Sequence, residues 1–268
     1  VGRVRRTMQG STVYAEERQQ AIAAMAVQSG RVSVAELAAR FSVTTETIRR
    51  DLSALEDAGQ LTRVHGGAIP SGRIRLGESG VRARATSRPR EKNAIARAAL
   101  AQLPQDAETT ILVDAGTTTA QFAELLPAGR VRTIVTNSVP IASGLAARET
   151  AEVILLGGRV RGITQATVGD EVLNALQRLR VDLAFIGTNG FSRIHGLSTP
   201  DPSEAAVKHA MVGAGQRIIV LADSSKLESD YLVSFAGIDE VDMLITDQGL
   251  APRARATFTE LGVDVVLA

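Results

Sequence analysis

The chain has no cysteine and no tryptophan, only three lysines, and aromatic side chains at just 3% of its 268 positions. Without cysteine, disulfides and thiolate metal sites are excluded. With so few aromatics, aliphatic side chains must fill any core. No apolar run reaches the ~18 residues that a membrane helix needs, so no membrane partner is expected. The opening residues VGRVRRTMQGST place no apolar segment behind their arginines, unlike a secretory signal. Residues 1–12 are read as a disordered N-terminus, and a cytoplasmic location is expected.

Hydrophobic residues make up 44% of the chain, and its length is comfortable for two domains. The net charge of +1 is unevenly spread: residues 1–92 carry +7 and residues 93–268 carry −6. A basic first third fits a part that faces nucleic acid, with an acidic part given to another task. Basic positions are otherwise arginine, so Lys92, Lys208 and Lys226 stand out as exceptions.

Within residues 13–70, apolar spacing predicts three short helices followed by a hairpin. EERQQAIAAMAVQ (16–28) is amphipathic, and Ser33 with Glu36 forms the capping pattern that starts a helix at VAELAARF. Thr44 caps a third helix that Gly59 ends. There Ile48, Leu52 and Leu55 share one face, leaving Thr45, Glu46, Arg49, Arg50 and Ser53 outward. LTRVHGGAIP reads as a hairpin turning at Gly66-Gly67. Helix, tight turn, helix and glycine hairpin together predict a winged helix-turn-helix, whose second helix enters the major groove of duplex DNA. Thr44, Thr45, Glu46, Thr47, Arg49 and Arg50 are the candidate DNA contacts on it. Arg63 and His65 in the hairpin are candidates for a neighbouring backbone or groove.

Residues 71–90, rich in Arg, Gly and Ser, read as a linker. From 91 to 268, apolar β-branched runs at 109–113, 132–136, 152–156, 182–187, 217–222, 242–246 and 263–267 are mostly separated by helical stretches. That alternation predicts an α/β domain with a mostly parallel sheet covered on both faces. Several runs end in polar, glycine-bearing tips, and ligands of open parallel sheets bind outside the strand carboxyl ends. Asp114, Gly116, Thr117, Thr118 and Thr119 form the first tip, where a strand-to-helix junction makes an anion cradle. Thr136 and Asn137, Arg159, Gly187 and Asn189, and Lys226 mark the later ones. Glu204 and Lys208, one turn apart on a helix, fit either a surface pair or ligand contacts. Lacking a Walker pattern and a Gly-x-Gly-x-x-Gly fingerprint, the domain suits a small phosphate ester better than a nucleotide. His195 is read as a surface loop residue.

The stretch VAELAARFSVTTETIRRDLSALEDAGQLTRVHGGA resembles the N-terminal signature of the DeoR family of bacterial repressors. That resemblance implies that the TIRRDL helix reads the operator and that HGGA lies in the wing. DAGTTT, VTNS, LLGGRVR, FIGTNG, EAAVK and ADSSK resemble successive motifs of the DeoR sensor domain. What this implies is a domain folded like ribose-phosphate isomerases and CoA transferases that binds a phosphorylated sugar. GTNG with GLSTPDPSEAAVKHAMV is similar to actinobacterial fructose-operon repressors, which implies a fructose phosphate effector, fructose 1-phosphate first. The expected partners are operator DNA, the sugar phosphate and further copies of the chain as homodimer or homotetramer. No cofactor, metal or catalytic residue is expected. The alternative is an isomerase-like enzyme with a fused DNA-binding domain, using Asp114, Glu204 and Lys208 for proton transfer.

Overall fold

The computed structural model describes residues 15–268 apart from 30, 31, 59, 65, 71–79 and 106. The chain divides into two compact units, residues 1–71 and 72–268. The expected disorder of residues 1–12 falls outside the described residues.

In the first unit come α1 (Ala15–Ser29), β1 (Val32–Ser33), α2 (Val34–Phe41), α3 (Thr45–Asp57), β2 (Leu61–Val64) and β3 (Gly67–Pro70). Ser33 Oγ accepts the Glu36 N–H and starts α2; Ser42 ends it in the left-handed conformation at φ 53°. Thr44 Oγ1 accepts the Thr47 N–H at 3.1 Å and starts α3, as its hydroxyl predicts. Ile48, Leu52 and Leu55 are buried against Ile22, Ala26, Leu37 and Leu61. Each such side chain contributes about 1.5–3 kcal/mol when fully buried.

The two glycines of the wing do different work. Gly66 sits at φ 76°, a turn conformation that a side chain disfavours. Gly67 pairs with Ser33 of β1, where a Cβ would meet the Val32 carbonyl oxygen at 1.9 Å. Strand β1, too short to carry a sequence pattern, therefore joins β3 and β2 in a three-stranded sheet.

The second unit begins with α4 (Val81–Thr86) and α5 (Pro89–Leu100). Residues 80–90, expected to continue an aperiodic linker, thus hold one helix and the start of another. Then follow β4 (Thr110–Val113), α6 (Thr117–Leu125), β5 (Thr133–Thr136), α7 (Val139–Ala147) and β6 (Glu152–Leu155). Next are β7 (Arg159–Arg161), β8 (Ala166–Val168), α8 (Asp170–Leu176), β9 (Val181–Gly187), β10 (Gly190–Ser192) and β11 (Gly196–Thr199). Last come α9 (Pro202–Ala214), β12 (Gly215–Leu221), β13 (Val233–Ala236), β14 (Met243–Thr246), α10 (Pro252–Glu260) and β15 (Asp264–Leu267).

All seven apolar runs lie in one sheet of order β15-β14-β12-β9-β4-β5-β6, parallel throughout. Separate apolar clusters cover its two faces, one including Ile95, Phe122 and Leu145, the other Val172, Met211 and Phe258. From β4 the chain moves outward through β5 and β6, then returns to β9 on the other side of β4 and proceeds outward through β12. The gap between β4 and β9 is the switch point at which open α/β sheets bind ligands. Two small antiparallel sheets, β7-β8 and β10-β11-β13, add to this frame.

Candidate functional site

In the first unit, Thr45, Glu46, Arg49 and Arg50 are exposed on the first turns of α3, with Thr44 beside them. The Glu46 carboxylate lies 3.6 Å from Arg49 and 3.8 Å from Arg50. Such exposed pairs are worth only about 0–1 kcal/mol, so both guanidiniums can exchange Glu46 for a DNA partner at little cost. Thr47 takes part in the cap, its hydroxyl 2.9 Å from that of Thr44. Arg63, expected to reach out from the wing, is exposed but donates to Ser53 Oγ of α3 at 2.9 Å. Its backbone N–H donates to Glu56 Oε1, so the wing is tied to the helix on both counts. His65 lies outside the described residues.

One pair in this unit was not singled out from sequence. Arg18 of α1 and Asp51 of α3 are both buried, with Arg18 Nε donating to Asp51 Oδ2 at 2.6 Å and Nη2 to Oδ1 at 3.1 Å. Gln19 Nε2 also donates to that carboxylate, at 3.0 Å. A run of outward polar residues hides the fact that Asp51 turns inward.

In the second unit, two adjoining cavities lie at the tips of β4 and β9. Gly116, Thr117, Thr118, Gly187, Asn189, Glu204, Lys208 and Lys226 all line them. Arg84, Thr117, Asn189 and Lys226 border both cavities. The larger one, about 200 Å³, adds Ser87, Lys92, Asp223, Ser225, Ser229 and Tyr231. Thus all three lysines of the chain reach one composite site.

Four predicted residues shape the site from behind without lining it. Thr119 Oγ1 donates to the Asp114 carbonyl at 2.6 Å, and Thr136 Oγ1 to that of Val113 at 2.6 Å. Asn137 Oδ1 accepts the Ala115 N–H at 3.0 Å while its amide donates to the Thr167 carbonyl. Asp114 is buried, accepts the Gly187 N–H at 2.9 Å and is ion-paired with Lys208. Arg159 departs from expectation: it is exposed at the start of β7 and lines neither cavity. The Gly157-Gly158 turn is not a cradle, since Gly158 packs on the β8 backbone at φ 140°. Two residues further along the strand, Arg161 meets Glu204 at 2.6 Å and Asp201 at 3.2 Å.

The electrostatics differ between the cavities. In the smaller one Lys208 is matched by Asp114 and Glu204 by Arg161, and Thr164 also donates to Glu204. Burial holds the Asp114 carboxyl above the usual carboxylate range despite Lys208. In the larger one Arg84, Lys92 and Lys226 share, among the described lining residues, the one carboxylate of Asp223. Burial would raise Asp223, but Lys226, Ser225, Arg88 and Lys92 hold it below its ordinary value. Burial lowers Lys92, and it brings Lys226 down to about 8. Lys92 Nζ donates to the Ser87 carbonyl at 2.6 Å and to that of Arg84; Lys226 Nζ donates to the Thr188 carbonyl at 2.7 Å.

Unsatisfied polar atoms mark where a ligand would bond. Helix α6 has no side-chain cap, and its first residues Thr117 and Thr118 line the smaller cavity with Gly116. Thr118 Oγ1, Ser229 Oγ and Arg84 Nε are buried and lack a hydrogen-bond partner. Leaving such an atom unpaired costs about 1–3 kcal/mol, which a bound polar ligand recovers. Half-buried His195 sits with Nε2 2.8 Å from the Tyr231 carbonyl and so steadies the rim. Among the described residues, no group of three or more His, Asp or Glu could hold a metal, and no helix is long and apolar enough to cross a membrane.

A capped helix with outward arginines beside a glycine wing, followed by a parallel sheet with a polar pocket at its switch point, defines a DNA-binding regulator with a sensor domain. The comparisons agree. Residues 18–71 match the model of the DeoR-like helix-turn-helix domain, and residues 87–248 that of the DeoR C-terminal sensor domain. The chain belongs to the DeoR family of transcriptional regulators. It is 36% identical to the HTH-type transcriptional regulator GlpR of Haloferax volcanii over 93% of this chain and 96% of that one. To the glycerol-3-phosphate regulon repressor of Escherichia coli K12 it is 32% identical, covering 86% of this chain and 90% of that one. Ribose 5-phosphate isomerase A from Neisseria gonorrhoeae aligns with a TM-score of 0.38 at 18% identity, over 52% of this chain and 53% of that chain.

Proposed function

We propose that this chain represses a sugar-utilisation operon of the fructose type and that a phosphorylated sugar, fructose 1-phosphate first, releases it from operator DNA. The observation that carries the sensing half is the convergence of Lys92, Lys208 and Lys226, with Arg84, on one site. Lys92, Arg84 and Lys226 outnumber the Asp223 carboxylate around the larger cavity, so the phosphoryl group is placed there. Sugar hydroxyls then fall to Asn189, Thr118 and Glu204 in the smaller cavity. The fructose assignment is supported by the GTNG and GLSTPDPSEAAVKHAMV segments. A relative named for a glycerol-3-phosphate regulon supports a phosphate ester as the signal.

We read the sensor as a receptor and not as an isomerase. Glu204, the candidate base, is engaged by Arg161 and Thr164, and Asp114 by Lys208 and the Gly187 N–H. The full-length relatives are named as transcriptional regulators and repressors. DNA contact is assigned to Thr44, Thr45, Glu46, Thr47, Arg49, Arg50, Arg63 and His65, and two-fold operators call for a homodimer or homotetramer.

A thermal-shift panel of fructose 1-phosphate, fructose 6-phosphate and unphosphorylated fructose tests the reading, followed by operator release measured by fluorescence anisotropy. Stabilisation by a phosphorylated sugar but not by fructose, with release at the same concentrations, is the expected outcome. Equal response to fructose itself, or tighter DNA binding on adding the phosphate, overturns it.

A further inference from the structure

We propose that Arg84 is the ligand contact through which the bound phosphoryl group acts on the DNA-reading unit. The proposal rests on the receptor reading above and adds the route of regulation.

Four observations converge on this residue. Helix α4 is the first described helix after residues 71–79, the stretch that follows the reading unit in sequence. Arg84 is the side chain that α4 contributes to both cavities. Its Nε is buried without a hydrogen-bond partner. And α4 is six residues long with no side-chain cap at Gly80. A helix this short has little stability of its own, so its place depends on tertiary contacts.

Among the described residues α4 packs against α6, and hydrogen bonds hold both of its ends. The Val81 N–H donates to the Ile163 carbonyl at 3.0 Å. Lys92 Nζ donates to the carbonyls of Arg84 and Ser87, clamping the end of α4 from the first turns of α5. Across the cavity, Lys226 and Thr117 stand at the tips of β12 and β4, fixed by the seven-stranded sheet. An anion held between Arg84 and Lys226 therefore joins a marginal element to a rigid one. It satisfies Arg84 Nε, supplies counter-charge to Lys92, and favours the state in which α4 is docked. Only such a difference in affinity between two states can move the equilibrium of the reading unit.

The test uses the full chain, a duplex chosen by selection from random sequence, and fructose 1-phosphate as probe. R84M keeps the methylenes and removes the guanidinium, and K226M serves as the comparison. R84M is expected to lose about tenfold or more in ligand affinity, the loss of one charged hydrogen bond, and its release is judged against its own duplex affinity without ligand. At saturating fructose 1-phosphate it should still hold the duplex. K226M should also lose affinity yet release the duplex fully once saturated, because α4 remains engaged. Release of the duplex by saturated R84M to the extent seen for the unaltered chain overturns the proposal.

Hydrogen exchange on the unaltered chain gives a second measure that does not depend on the variant folding. Residues 80–88 should gain protection when fructose 1-phosphate binds, and no gain there overturns the proposal as well. If no phosphorylated sugar stabilises the unaltered chain, the receptor reading fails and this one falls with it. Stabilisation with an uncoupling effect absent from R84M removes the Arg84 assignment alone.

Discussion

Lys226 titrates close to physiological pH because burial disfavours its charged form, bringing it to about 8. A phosphate ester is a dianion across this range, its second pKa lying near 6. Below pH 8 the ammonium is present and attracts the ligand; as pH rises through 8 the proton leaves and the attraction goes with it. Fructose 1-phosphate affinity should therefore fall roughly tenfold or more between pH 7 and 9.5 by isothermal calorimetry. Lys226→Arg, whose charge persists above pH 12, should flatten that profile. A flat profile for the unaltered chain would remove Lys226 from the phosphate site.

Arg49 poses a simpler question at the same scale. It is exposed, and among the described residues its guanidinium meets Glu46 at 3.6 Å, so Arg49→Ala should leave stability unchanged within about 0.5 kcal/mol. If it reads a guanine edge, the variant should lose about 1–3 kcal/mol of discrimination at one operator position. An unchanged base preference in a selection experiment would assign it to the phosphate backbone or to solvent.

At the scale of elements, the buried Arg18–Asp51 pair fastens α1 to the reading helix. Asp51→Ala removes the buried carboxylate that Arg18 meets at 2.6 Å and should destabilise the first unit by about 3–5 kcal/mol. Urea unfolding followed by circular dichroism would show an early loss of helix, with operator binding lost in step. Replacing both partners, Arg18→Met with Asp51→Leu, should recover most of that loss, because the guanidinium then leaves with its carboxylate. If Asp51→Ala and the double variant unfold together, the pair is not what fixes α1.

Elements also explain what could be read in advance. The central strands of the sheet were legible because they are largely buried and so run continuously apolar, as in RIIVL or DLAFI, and the edge strands β6 and β15 keep enough β-branched and aliphatic residues to be read although they are exposed or half-buried. Strands β7, β10 and β11 were not: at three or four residues, with glycine and arginine among them, they carry no alternation. Helix α4 was missed for the same reason, since VRARAT has no apolar stripe. The site was legible where one strand tip supplies its residues, as at Gly116–Thr118 and Gly187. It was hidden where separate elements converge, as with Arg84, Ser229 and Tyr231. Arg161 was passed over for Arg159 because the glycine pair looked like a strand tip, while the chain in fact runs on as β7. The scarcity of lysine was the one sequence signal that pointed to Lys92, Lys208 and Lys226 together.

For the whole molecule, the two activities are bound by a thermodynamic cycle. If the sugar phosphate weakens operator binding by some factor, the operator must weaken sugar phosphate binding by the same factor. Couplings of this kind are typically about 1–3 kcal/mol, or roughly 5–150-fold. The uneven charge sharpens the measurement. Operator affinity rests on the basic first third and should fall steeply with salt, by about 0.9 log units per log salt for each phosphate neutralised. Ligand affinity of the DNA-free sensor, where a few cations meet one phosphoryl group and not a run of duplex phosphates, should change far less. Raising salt should therefore empty the operator without abolishing sensing, and the affinity for fructose 1-phosphate measured on the operator complex should rise toward the free-chain value as it does so. The expected result is one coupling factor from both directions at each salt concentration. Because the cycle forces equality for a chain of fixed assembly, two apparently different factors would mean that the assembly state changes between the two measurements, and a route from pocket to reading helix within the chain would have to give way to one through assembly of its copies.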